Sequence, residues 1–202
     1  MPTKNLDQRD NIQAIARKLF ATKGYEATTT RKINTLAKTS DGLLYYYFPG
    51  GKKALLDSIL LEARDRRTKT LASFTFESVA DREAVAHETL RFFKFIWRTL
   101  IDEENYQVFQ ITVREKHLLT DQQIAWIQRL NQSILDDLTA FLANHADLLT
   151  VDTDAIPVLS QSLIATFQAM IFTQLVMTDQ RQLTPQSAAA LSQRVHLILA
   201  VD

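Results

Sequence analysis

Apolar side chains recur every three or four residues along almost the whole of this chain, and very little interrupts them. That spacing traces one face of an α-helix. Turn-formers are scarce: four Gly and four Pro among 202 residues leave too few breaks for an all-β fold. The Ala-, Leu- and Gln-rich stretches are also poor strand material. An all-α fold is expected.

The first helix is expected from about Leu6 to Lys23, with Ile12, Ile15, Ala16, Leu19 and Phe20 on one face and Gly24 as its stop. Thr28, Thr29 and Thr30 supply hydroxyls to cap a short second helix carrying Ile33, Leu36 and Ala37. Lys38 and Thr39 make a tight turn. Ser40 then caps a third helix, with Asp41 at its positive end, that carries Leu43 to Phe48. Pro49-Gly50-Gly51 breaks it, and a fourth helix from Lys52 to about Thr70 turns Leu55, Leu56, Ile59, Leu60 and Ala63 inward. Further helices are expected near 81–102, 105–117, 120–145, 153–178 and 184–201, with Thr120-Asp121-Gln122-Gln123 reading as a capping box.

Charge divides the chain. Residues 1–53 hold ten Lys/Arg against four Asp/Glu, a net of +6, and the rest carries the balancing −6. A basic module on an acidic body suggests a polyanionic partner at one end. With no cysteine, thiolate metal sites and thiol nucleophiles are excluded. The four histidines (87, 117, 145, 196) lie far apart, and Gly50-Gly51 is the only glycine pair. Neither an enzyme nor a cofactor nor a metal is therefore expected. No basic-then-apolar leader is present, and Ile156 to Thr178, interrupted by polar residues, comes nearest to a membrane span. A soluble cytoplasmic protein is expected.

Two short helices with a turn between Ala37 and Ser40 form a helix-turn-helix, braced on the first helix by Ile33, Ala37, Leu44 and Phe48. Successive helical residues differ by about 100°, so Tyr45, Tyr46 and Tyr47 cannot all face a core. At least one ring offers its hydroxyl outward.

The run Ile15-Ala16, Leu19-Phe20, Gly24-Tyr25, Thr28 to Ile33, Ala37, Ser40, Gly42, Leu44-Tyr45, Tyr47-Phe48, Lys52, Leu55 resembles the DNA-binding domain of the TetR (tetracycline repressor) family over roughly residues 10–60. Asn34, Lys38 and Thr39 depart from the usual Ala, Gly and Val, and Pro49 to Lys52 is one residue longer than the commonest linker. The resemblance implies two parts: a DNA-binding domain at 1–51 and an effector-binding and dimerisation domain at 52–202, with 52–70 as the connecting helix. It implies that Thr29 and Thr30 hold phosphates and that Arg31 reaches a base edge, where its fork suits guanine. Asp41, Leu43 and Tyr45 read bases, Gly42 permits close approach, and Tyr46, Tyr47, Lys52 and Ser40 meet the backbone. Asp41 reads equally as a helix-dipole partner and as an acceptor from cytosine N4.

Residues 70–202 hold nine of eleven Phe and both Trp. An effector pocket among the middle helices is implied, with Phe92, Phe95, Trp97, Phe109, Trp126, Phe141 and Phe167 as candidate walls; aromatic residues at helical spacing also serve as plain core. The last two helices are expected to pair two subunits through Leu159, Leu163, Phe167, Met170, Leu191, Val195 and Ile198. The expected partners are palindromic double-stranded DNA, a small-molecule effector and a second copy. A helical interaction module without DNA binding is the alternative reading.

Overall fold

The computed structural model describes residues 3–200, with side chains from Gln8 onward. These residues contain helices, turns and connections but no strand. The helices are α1 (Thr3–Lys23), α2 (Thr30–Ala37), α3 (Asp41–Tyr47), α4 (Gly51–Leu71), α5 (Arg82–Ile101), α6 (Glu103–Arg114), α7 (Asp121–Ala143), α8 (Ile156–Ile171) and α9 (Pro185–Leu199). A π-helical stretch, Phe172–Met177, extends α8. Capping follows the expected chemistry. At the start of α7, Gln123 N–H donates to Thr120 Oγ1 (3.3 Å) while Thr120 N–H donates to Gln123 Oε1 (2.8 Å), a complete capping box. Pro185 opens α9 behind Thr184, whose hydroxyl accepts from Ser187 N–H.

Packing divides the chain differently from the expected boundary at residue 51. One compact unit holds residues up to Lys69 together with Asp102–Ile124; the other holds Thr70–Ile101 and the residues from Ala125 onward.

In the first unit Ile12, Ala16, Phe20, Ile33, Leu44, Leu55 and Leu56 are fully buried, and Val108 and Ile111 of α6 close the same core. Leu36, expected on the apolar side of α2, is 53% exposed. Polar clasps bind α6 in place. Glu104 accepts from Arg17 of α1 (2.7 Å) and from Arg66 of α4, and Arg17 also donates to Gln107 (3.0 Å). Arg67 donates to the Asn105 carbonyl; its burial, with Arg66 beside it, lowers its pKa to about 10. Glu115 accepts from Tyr25 N–H (2.9 Å) just after Gly24, which sits at φ 90°. A Cβ on Gly24 would lie 3.2 Å from that carboxylate, so both the backbone and the contact require glycine.

In the second unit Phe93 of α5 is fully buried and stacks on Phe167 of α8 at 4.5 Å. Arg82, at the start of α5, donates to the carbonyls of Leu148 and Ala200. The stretch Thr153–Met177 is long and apolar enough, by length and composition, to cross a membrane, yet its Leu159, Leu163, Phe167 and Met170 are buried within this chain. Six of the seven expected subunit contacts are thus largely covered by their own chain. Those four residues, with Leu191 and Val195, already face their own core, and Ile198 is half-buried. The outward apolar residues are Val158, Phe172, Val176, Met177 and Leu197.

Candidate nucleic-acid interface

The α2–turn–α3 segment is fixed from below and capped at each junction. Thr29 Oγ1 accepts from Lys32 N–H (3.2 Å), and Ser40 Oγ accepts from Leu43 N–H (3.3 Å). Lys38 ends α2 in the left-handed region at φ 52°, where glycine is the cheapest occupant. From α1, the amides of Gln8 and Asn11 both donate to the Ala37 carbonyl (3.2 and 3.1 Å). Ile33, Ala37, Leu44 and Phe48 are all buried against the shared core. The exposed face of α3 is therefore carried on a rigid base.

What this face presents is polar and basic. Thr29, Arg31, Lys32, Lys38, Ser40, Asp41, Gly42, Tyr45 and Tyr46 are exposed, while Thr30, Leu43, Tyr47 and Lys52 are half-buried. Among the described residues, Arg31, Lys32 and Lys38 make no ion pair, unlike Arg17, Lys53 and Arg66. Tyr46 is 74% exposed and meets Tyr47 edge to face at 5.2 Å. The Tyr45 ring lies over Gly51, whose φ of 61° and missing Cβ (3.1 Å from that ring if present) make room for it. At Gly42 a Cβ would meet nothing closer than Ser40 Oγ at 4.0 Å, so no contact within the chain requires glycine there.

Two expected contacts have internal partners. Lys52 Nζ donates to the Tyr25 carbonyl (2.9 Å), lies 4.0 Å above the Tyr25 ring and approaches Glu26 at 3.8 Å. It ties the start of α4 to the α1–α2 connection. Burial, with Glu26 and Asp57 nearby, raises the Tyr25 phenol pKa. Asp41 accepts a hydrogen bond from the Asn34 amide. Sequence reading noted Asn34 only as a departure from pattern, because no periodicity marks a bond across a turn.

In the second unit the expected aromatic residues separate. Trp97 and Phe167 are buried, and Trp126 is half-buried. Phe109 belongs to the first unit, at 6.1 Å from Tyr106. Phe92 and Phe95 lie 5.0 Å from Phe74, and Phe76 stacks on Phe141 at 4.4 Å. Phe74 and Phe76, overlooked in sequence because they stand in the non-helical α4–α5 connection, line an open cleft of about 520 Å³. Its other walls are Leu71, Ser78, Glu77, Asp137, Phe141, Asn144 and His145.

Residues 12–59 match the family model described as "Bacterial regulatory proteins, tetR family". The HTH-type transcriptional repressor NicS of Pseudomonas putida is 35% identical over 89 residues, 44% of this chain and 40% of that protein. The HTH-type transcriptional regulator QacR of Staphylococcus aureus is 37% identical over 57 residues, 28% of this chain and 30% of that one. These matches span less than half the length of either relative. Two solved structures share the fold over nearly all of both chains. A transcriptional regulator of Aquifex aeolicus has a TM-score of 0.64 at 16% identity, covering 95% of this chain and 99% of that one. The TetR family regulator PfmR of Thermus thermophilus has a TM-score of 0.63 at 23% identity, covering 94% and 97%.

Proposed function

We propose that this chain, a tetR-family protein by its residues 12–59, is a DNA-binding transcriptional repressor that grips a palindromic operator as a dimer and lets go when a small molecule binds. One observation carries the reading. The unpaired Arg31, Lys32 and Lys38 share an exposed face with Ser40, Tyr45 and Tyr46, on helices rigidly cored from beneath. A helix of this kind fits the major groove, about 12 Å wide. Free cations next to hydroxyls suit phosphate and base-edge contact. In this reading Thr29, Thr30, Ser40, Tyr46 and Tyr47 hold the backbone. Arg31, Asp41, Leu43 and Tyr45 face the bases, and the bare Gly42 admits the groove wall. Lys52 acts from the side, through the Tyr25 carbonyl it supports.

The dimer forms on the outward stripe of α8 and its extension. Val158, Ser162, Ala165, Ala169, Phe172 and Val176 are all exposed and fall at alternating spacings of four and three, with Leu197 exposed on α9. Small residues at the middle of the stripe let two helices approach closely. Two-fold pairing then sets two recognition helices on one operator. The effector enters the second unit, at the cleft under the α4–α5 connection. The first turn of α4 carries Gly51 beneath Tyr45, and its last residue, Leu71, lines that cleft. A ligand that favours one setting of α4 changes DNA affinity by its differential binding. The protein acts in the cytoplasm, where the DNA is.

Selection of duplexes from a randomised library at near-physiological salt tests the reading, since salt suppresses nonspecific phosphate binding. One enriched palindrome is expected. A well-folded, ligand-free protein that enriches no motif would instead support a helical interaction module.

A further inference from the structure

We infer that the cleft under the α4–α5 connection takes an organic cation with an aromatic or apolar body, seated against its phenyl rings and neutralised by Asp137 and Glu77. This assignment rests on the reading that the second unit binds a small-molecule effector. The cleft, about 520 Å³, is within the size range of small-ligand sites.

Its wall is made of two kinds of surface. Phe74, Phe76 and Phe141 supply aromatic rings, with Phe76 and Phe141 stacked nearly parallel. The polar groups are the carboxylates of Glu77 and Asp137, the Ser78 hydroxyl, the Asn144 amide and the His145 ring. His145 donates Nδ1–H to the Phe141 carbonyl (2.8 Å). No Lys or Arg lines the cleft.

The guanidinium over the Phe74 ring is already committed. Arg91 lies 4.3 Å over the Phe74 ring and is paired with Glu88, a carboxylate that is itself 4% exposed and also accepts from Glu77 N–H (2.7 Å). Burial pushes the Glu88 carboxyl up, but the Arg91 and Glu77 bonds outweigh it and hold its pKa below the usual range. The pair is electrically closed and offers an incoming anion nothing.

Three ligand charges can be compared. An anion would meet two carboxylates and no cation. A neutral apolar body would fill the aromatic side while stripping water from carboxylates it cannot satisfy. A cation gains from both surfaces, since ring faces attract positive charge and the carboxylates neutralise it. The Asp137 carboxyl is raised in pKa by partial desolvation and by Asp136; an arriving cation relieves that unfavourable charge.

The test is titration of the full-length protein, without DNA, with phenyltrimethylammonium, with its neutral isostere tert-butylbenzene and with benzoate, followed by amide NMR shifts. The cation is expected to bind roughly tenfold or more tightly than the isostere, with shifts at Phe76 and Phe141, and benzoate not at all. Asp137→Asn and Glu77→Gln are each expected to weaken the cation by roughly tenfold while leaving the isostere unchanged. Both positions are exposed, so either variant is expected to fold, as circular dichroism will show. Equal binding of cation and isostere, measurable binding of benzoate, or unchanged cation affinity in both variants would overturn the assignment. Adding operator duplex separates the two readings. If the cation binds as described and DNA affinity does not move, the ligand class stands and the effector role falls.

Discussion

Lys38 holds a left-handed backbone at φ 52° with its side chain in solvent. A side chain there costs about 1–2 kcal/mol that glycine avoids, less the extra chain entropy glycine loses on folding. Lys38→Gly is therefore expected to stabilise the fold by about 1 kcal/mol, read as a rise in thermal midpoint. It also removes one unpaired cation, so nonspecific DNA affinity should fall slightly. The reverse separation is expected at Arg31 and Tyr45. Both are exposed and brace nothing essential to the core. The double variant Arg31→Ala, Tyr45→Ala should lose sequence-specific binding in gel-shift assays while keeping its helicity and oligomeric state. Persistent duplex binding would place the contact surface elsewhere. At this scale the sequence was legible where periodicity decides the outcome, as at Ile33, Leu44 and Phe48. It was opaque where a side chain reaches across a turn, as Asn34 does to Asp41, or back to a loop, as Lys52 does to the Tyr25 carbonyl.

Helix spans came close to expectation because amphipathic spacing and caps are local: the Thr120–Gln123 box formed as read. Which helices share a core is a long-range matter. The expected boundary lies at Pro49-Gly50-Gly51, yet α6, some fifty residues later, completes the core of the first unit. Its attachment is polar, made of pairings that leave no periodic trace. Glu104 bridges Arg17 of α1 and Arg66 of α4, and Arg17 is 7% exposed. Glu104→Ala leaves that guanidinium short of a partner and is expected to cost about 1–3 kcal/mol in denaturant unfolding. In the second unit His196 of α9 donates to the Ser192 carbonyl (2.7 Å) and meets Glu83 of α5 (3.3 Å). The Ser192 bond, opposed by partial burial and helped by Glu83, raises its pKa above the ordinary histidine value. A raised folded pKa favours folding at pH values below the unfolded one, and the benefit fades as pH rises through the folded value. Stability should thus decline as pH rises past the ordinary histidine value of about 6.5, and His196→Gln should flatten that part of the profile.

For the molecule as a whole, the proposed pairing surface is the outward apolar stripe. Leu197 is 80% exposed in the single chain, so Leu197→Glu should leave each subunit folded and turn the proposed dimer into monomers by sedimentation. Operator affinity should fall with it, because one recognition helix must then hold the half-site alone. Sequence reading placed the contacts on residues that the chain itself largely buries, since a helix apolar nearly all round does not show which face its own chain covers. The cleft has a different kind of consequence. Two of its three phenyl walls, Phe74 and Phe76, come from the short connection between Leu71 and Arg82, not from a helix. That segment belongs to no helix, yet its two rings pack on Phe92, Phe95 and Phe141 and must be kept in size. Varying the exposed positions around them is thus a practical route to sensors with new chemical inputs.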